Sequence, residues 1–282
     1  RTTTWDARPR SMRSTSFENA EGCLNTCLID DEAPLRHHAP MPDPTELVLI
    51  ATVFVLSGTV KGITGMGLPT VAISLLGLWM LPAQAAALLV APTLATNVAQ
   101  CRGPHTRMLV RRLWPAWLGL ALATALAPGL GGAPLPFDAR HALGAVLVLY
   151  GAWGLWRPRL PDLSQRHPAW GALAGGTAGL MTAMTAVSVM PLVPYLQSLK
   201  LDKDALVQAL GLGFTVAMIA LALRLQASGG LNLWSASTAI ALGAAFAGMW
   251  LGALARGRLS AAAFQRGLFI VFIGLGLANL TK

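Results

Sequence analysis

The run Gly58-Thr59-Val60-Lys61-Gly62-Ile63-Thr64-Gly65-Met66-Gly67-Leu68-Pro69 interrupts a long apolar stretch with four glycines and a lysine. Gly62, Gly65 and Gly67 permit backbone conformations closed to other residues and let another segment come close. Pro69 suits the first turn of a new helix, where its missing N–H costs nothing. The run therefore predicts one helix that stops and a shorter one that starts, both inside apolar sequence. Lipid cannot satisfy the N–H and C=O groups freed at such a break, so protein or a polar cavity must surround it. The start of the second helix presents free N–H groups and the positive end of a dipole, a seat for an anion. Lys61 lies about fifteen residues into the apolar run and is the only basic residue beyond position 40 well removed from a loop or span end. A buried ammonium is costly unless paired, which makes it a functional candidate. The competing role is structural: snorkelling to the interface or binding freed carbonyls.

Composition sets the surroundings of this break. Of 282 residues, 54% are hydrophobic and 12% charged, against about 25% charged in soluble domains. The mean hydropathy is +0.57. So little charge cannot cover a globule in water, the apolar content excludes disorder, and three cysteines exclude a disulfide scaffold. What remains is a polytopic membrane protein. The 21 basic residues outnumber 12 acidic ones, yet they sit between apolar runs and form no stripe for nucleic acid.

Residues 1–40 hold five basic and six acidic residues and show no helical or strand period. Met41 reads as the natural start, with 1–40 an upstream extension or disordered tail. Cys23 and Cys27 with His37-His38 lack a second pair at zinc-site spacing. No metal site and no cofactor is predicted.

Apolar stretches fall at 46–60, 68–81, 84–101, 113–131, 139–156, 169–183, 187–199, 204–226, 232–254 and 264–281. They are too long and continuous for barrel strands, so the fold class is all-α. The first two, and the sixth and seventh, are short and read as broken-helix hairpins. The segments 102–112, 157–167, 200–203 and 255–266 hold twelve of the sixteen basic residues beyond position 40. Placing them on the cytoplasmic side makes the spans alternate correctly.

The break at Gly58 has a counterpart 118 residues on, where Gly58, Thr59, Thr64 and Met66 match Gly176, Thr177, Thr182 and Met184. Leu81 to Asn97 aligns with Leu201 to Ala217 at an offset of 120. Each half, 41–160 and 161–282, then reads as a broken-helix hairpin plus three transmembrane helices. The intervening spans are odd in number, so the repeat is inverted. That architecture serves many secondary transporters, with the site near the midplane between the breaks.

At the second break Thr182, Thr185 and Ser188 recur every three residues, so their hydroxyls can share a face. Bonding back to their own helix carbonyls is the equally common alternative. Asn97, Gln100 and Gln208 are uncharged donors on neighbouring spans. Gly171, Gly175 and Gly179, and Gly248 with Gly252, predict close helix packing. All six acidic residues beyond position 40 fall in loops or at span ends, so no buried proton relay is evident. No catalytic spacing occurs, and no enzyme is predicted. The candidate substrate-binding set is Lys61, Gly62, Thr64, Gly65, Gly67, Asn97, Thr182, Thr185 and Ser188.

Lys61 to Pro69, Leu81 to Ala87 and Pro92 to Asn97 together resemble the TauE/SafE sulfite-exporter (TSUP) family of membrane transporters. The likeness spans 41–282, though the second break lacks the glycine-rich core often seen in the family, with Ala183, Thr185 and Ala186 there instead. The resemblance implies a multi-pass bacterial inner-membrane protein of about eight spans that exports small sulfur-containing anions such as sulfite or sulfonates. A non-transporting scaffold or sensor subunit is the alternative, and a homo-oligomer is left open.

Overall fold

A computed structural model describes residues 43–281 except 134, 135, 137, 157, 159, 165, 166 and 257–259, with the backbone alone at 261 and 262. The expectations for residues 1–40 lie outside the described residues. The described chain contains ten helices and no strand. They follow the ten apolar stretches one for one.

Helix α1 (Pro44–Thr64) opens on Asp43, whose carboxylate accepts from the Thr45 N–H at 3.1 Å. It stops where Gly65 turns left-handed (φ 81°) and donates to the Lys61 carbonyl at 2.7 Å. Gly67, also left-handed, leads into the short α2 (Leu68–Leu76), with Pro69 in its first turn. Then come α3 (Pro82–Cys101), α4 (Thr106–Leu126) and α5 (Ala139–Trp156). The second half runs through α6 (Ala169–Thr185), α7 (Val189–Ser198), α8 (Lys203–Ala227), α9 (Ala236–Arg256) and α10 (Ala261–Leu280). Asp202, Ser235 and Ser260 each place a side-chain oxygen on a free N–H at the start of α8, α9 and α10.

One boundary departs clearly from expectation. The stretch read as 113–131 is helical from Thr106 to Leu126. Arginine favours helix, so Arg107, Arg111 and Arg112 extend α4 backwards with their side chains exposed. At the other end Pro128 forces Ala127 into an extended conformation (φ −67°, ψ 152°). By length and composition, α1, α8, α9 and residues 263–280 of α10 suffice to cross a membrane among the described residues.

The helices interleave across the two halves of the chain. The most extensive pairings between the halves are α1 with α9, α4 with α6, and α5 with α10, followed by α3 with α8, α4 with α8, and α3 with α9. Exchanging α1–α5 for α6–α10 turns each of these pairings into another on the same roll or into itself. Small residues make the contacts tight. A Cβ added at Gly58 or Gly248 would overlap a carbonyl of the partner helix, that of Ala245 or Val55. In the α4–α6 pair, Gly175 and Gly179 abut the carbonyls of Ala116 and Leu120 in the same way. Gly171 differs, lying beneath the Tyr195 hydroxyl, 2.7 Å from an added Cβ.

Helix boundaries also revise the alignment of the halves. The end of α1 and of α6 (64 and 185), the starts of α2 and α7 (68 and 189), and the starts of α3 and α8 (82 and 203) are each 121 residues apart. Matching identical residues gave 118 because glycine, threonine and methionine recur throughout both stretches. The structural spacing sets Lys61 opposite Thr182, Thr64 opposite Thr185 and Gly65 opposite Ala186.

Candidate functional site

At the first break the backbone turns through Gly65-Met66-Gly67, and its loose polar groups find partners. The Thr64 hydroxyl lies 2.9 Å from the Val60 carbonyl and 2.7 Å from that of Met66, and it accepts from the Met66 N–H at 3.2 Å. The Gly65 carbonyl accepts from the Gln100 side-chain amide on α3. The Gly62 carbonyl accepts from the Arg256 guanidinium at the end of α9, with Nε at 3.1 Å. Two carbonyls freed by the break are thus held by side chains from two other helices.

Lys61, expected well away from a span end, instead occupies the last turn of α1, because the helix runs on through Gly58 and Gly62 to Thr64; it is 4% exposed. Its Nζ donates to Thr96 Oγ1 at 3.0 Å and to Asn97 Oδ1. Thr96 in turn donates to the Pro92 carbonyl at 2.7 Å. An ammonium only donates, so the Asn97 oxygen must face it, and the amide Nδ2 points elsewhere. That Nδ2 is buried with no partner, as are the hydroxyls of Thr93 on α3 and Thr70 on α2. An ammonium has three donors, and only two are taken here. No carboxylate pairs with Lys61 among the described residues.

Lys61, Gly62, Gly65, Thr96 and Gln100 line one side of a cavity of about 420 Å³, and Arg256 stands at its edge. The opposite wall is apolar, built from Phe246, Met249, Trp250 and Ala253 of α9. Among the described residues, two cationic side chains and no acidic one line this space. Such a site favours anions by electrostatics and suits one that also carries an apolar portion.

The predicted residues divide. Lys61, Gly62 and Gly65 line the cavity, and Asn97 reaches it through Lys61. Thr64 and Gly67 shape the turn but do not line the cavity. Thr182, Thr185 and Ser188 are buried at the second break and do not line it either. The hydroxyls of Thr182 and Thr185 donate to the carbonyls of Ala178 and Met181 in their own helix, at 2.8 and 2.7 Å. Gln208 fastens the loop after α3, donating to the carbonyls of Cys101 and Gly103 and to Thr106. Thr96 and Arg256 were not read as site residues from the sequence. Arg256 looked like one more loop arginine, since it follows directly on the apolar run of α9.

The sulfite exporter TauE/SafE family model matches residues 49–279, a range that takes in both breaks and the cavity. No curated protein and no solved structure matches the chain. With a match over most of its length, and helices apolar enough to span a bilayer, the chain is a multi-pass membrane transport protein and belongs to the TauE/SafE sulfite exporter family.

Proposed function

We propose that this protein is a secondary carrier that exports a small sulfur-containing anion, sulfite or a sulfonate, across a bacterial inner membrane. The observation that carries the reading is Lys61, a buried ammonium with a spare donor, no carboxylate partner and a cavity in front of it. Arg256 adds a second positive charge, and Gln100 and Asn97 fix the surrounding polar groups. The apolar wall of α9 accommodates the hydrocarbon part of a sulfonate.

The two halves are read as an inverted repeat of broken helices. Supporting this are the 121-residue spacing of equivalent helix ends and the pairing pattern that survives exchange of the halves. In this arrangement the second break, with Thr182, Thr185 and Ser188, is the counterpart of the anion-binding break. An inside-negative potential of 100 mV pushes a monovalent anion outward by roughly 2.3 kcal/mol, which sustains a gradient of about fiftyfold. Export therefore needs no coupling ion, in keeping with the absence of acidic residues from the cavity.

The test is sulfite uptake into everted membrane vesicles. Lys61→Ala should fall to the level of vesicles without the protein, and Lys61→Arg should retain part of the rate. A wild-type rate in the alanine variant removes Lys61 from the mechanism and the proposal with it.

A further inference from the structure

A second cationic cavity lies near the far end of α8. Arg224 is 7% exposed there, and no carboxylate pairs with it among the described residues. Its Nη1 donates to the Thr124 carbonyl at 2.7 Å, near the end of α4, while its Nε is buried with no acceptor. The guanidinium lines a cavity of about 280 Å³ together with the end of α4, the turn Gly131-Gly132-Ala133 and Ser228. The N–H groups of Gly131 and Ala133 make no hydrogen bond among the described residues. Gly132 passes so close that an added Cβ would overlap the guanidinium. No acidic residue lines the space among the described residues.

Each of these points calls for negative charge from outside the chain. A desolvated guanidinium needs a partner to offset the loss of water. This one lines a cavity together with Gly131 and Ala133, and a guanidinium with backbone around it suits the several acceptor oxygens of an oxyanion. The cavity is separate from the one at Lys61. Helix α8 meets Gln100 at Gly211, where an added Cβ would sit 2.7 Å from the glutamine Cβ. Arg224 comes thirteen residues later, about 20 Å further along the helix axis.

We infer that the Arg224 cavity is a second seat for a small oxyanion, at the end of the helix bundle remote from Lys61. The inference rests on the proposed function only for the choice of anion. It makes the carrier a two-station molecule, with one cation near each end of the path.

The experiment uses the whole chain in lipid nanodiscs, with equilibrium dialysis of radiolabelled sulfite and bromide located by its anomalous scattering in crystals. Wild type should bind two sulfite ions per chain and show bromide against Arg224. Arg224→Gln should bind one, and Arg224→Lys two, with the second site weakened roughly tenfold by loss of the planar fork. Ser228→Leu fills the cavity from its exposed rim, leaves the bond to Thr124 intact, and should also bind one. Two ions retained in Arg224→Gln or Ser228→Leu, or no bromide at Arg224, overturns the second seat. Loss of transport in Lys61→Ala alongside that result leaves the proposed function standing. Bromide at Arg224 in a protein that neither binds nor moves sulfite supports the seat and overturns the sulfur-anion reading.

Discussion

The two breaks solve the same backbone problem with different chemistry. Both end a helix on a left-handed residue that donates to the carbonyl four positions back, Gly65 to Lys61 and Ala186 to Thr182. Both place a threonine at the last helical position, and its hydroxyl accepts an N–H two residues on. There the likeness stops. Around the first break Gln100 and Arg256 reach in to hold carbonyls, and Lys61 is tied to Thr96 and Asn97. Around the second, Thr182 and Thr185 bond within their own helix, and the outside partner is the Leu130 N–H on the Ala183 carbonyl at 2.7 Å. The two turns lie 121 residues apart, while the side chains facing them differ. Of the two breaks, only the first carries a cation within its own helix end, Lys61.

Three substitution pairs test this contrast, beginning with the feature the halves share. Gly248→Val and Gly175→Val each drive a side chain into a partner backbone, at Val55 and Ala116. Overpacking of this kind costs about 3 kcal/mol or more, so both should abolish the folded peak in detergent size-exclusion chromatography. If one variant folds normally, the helix pairs are not equivalent. The second pair separates the breaks: Lys61→Met should lower sulfite transport by about 100-fold, the scale of a lost charged hydrogen bond. Thr182→Val, its structural counterpart, should stay within roughly twofold, because that hydroxyl serves its own helix. Equal losses at both positions would show that the halves share the binding work. The smallest effect is conformational. Gly65→Ala should destabilise by about 1 kcal/mol and Ala186→Gly should relieve a similar strain, read as opposite shifts in thermal unfolding. Gly65 has room for a methyl group, the nearest atom lying 3.8 Å away, so sterics do not confuse the comparison.

Much of this was legible in the sequence. Ten apolar stretches became ten helices, because a helix in lipid must satisfy its backbone internally and leaves a long apolar imprint. The Gly65–Gly67 turn was equally plain, since two left-handed residues either side of Met66 leave few choices but glycine. Ala186 was invisible for the same reason, as an alanine gives no hint of a left-handed backbone. Arg256 and Arg224 were hidden by position. Each sits at the end of an apolar run, where arginine ordinarily marks a membrane face, and only packing shows Arg224 buried and the exposed Arg256 reaching the Gly62 carbonyl. The hydroxyls of Thr182 and Thr185 illustrate the reverse error, since regular spacing put them on a face but could not say what that face already bonded.

The glycine contacts between α1 and α9, and between α4 and α6, carry a mechanical consequence. Each pair joins a helix from one half to a helix from the other, with backbones too near for one rod to slide along its mate. The rigid levers of this molecule are therefore hybrids, and neither half can swing as a body against its twin. Hinging is left to the seams between these welded rods, where α3 and α8 run and where Lys61 and Arg224 each lean on a neighbouring helix.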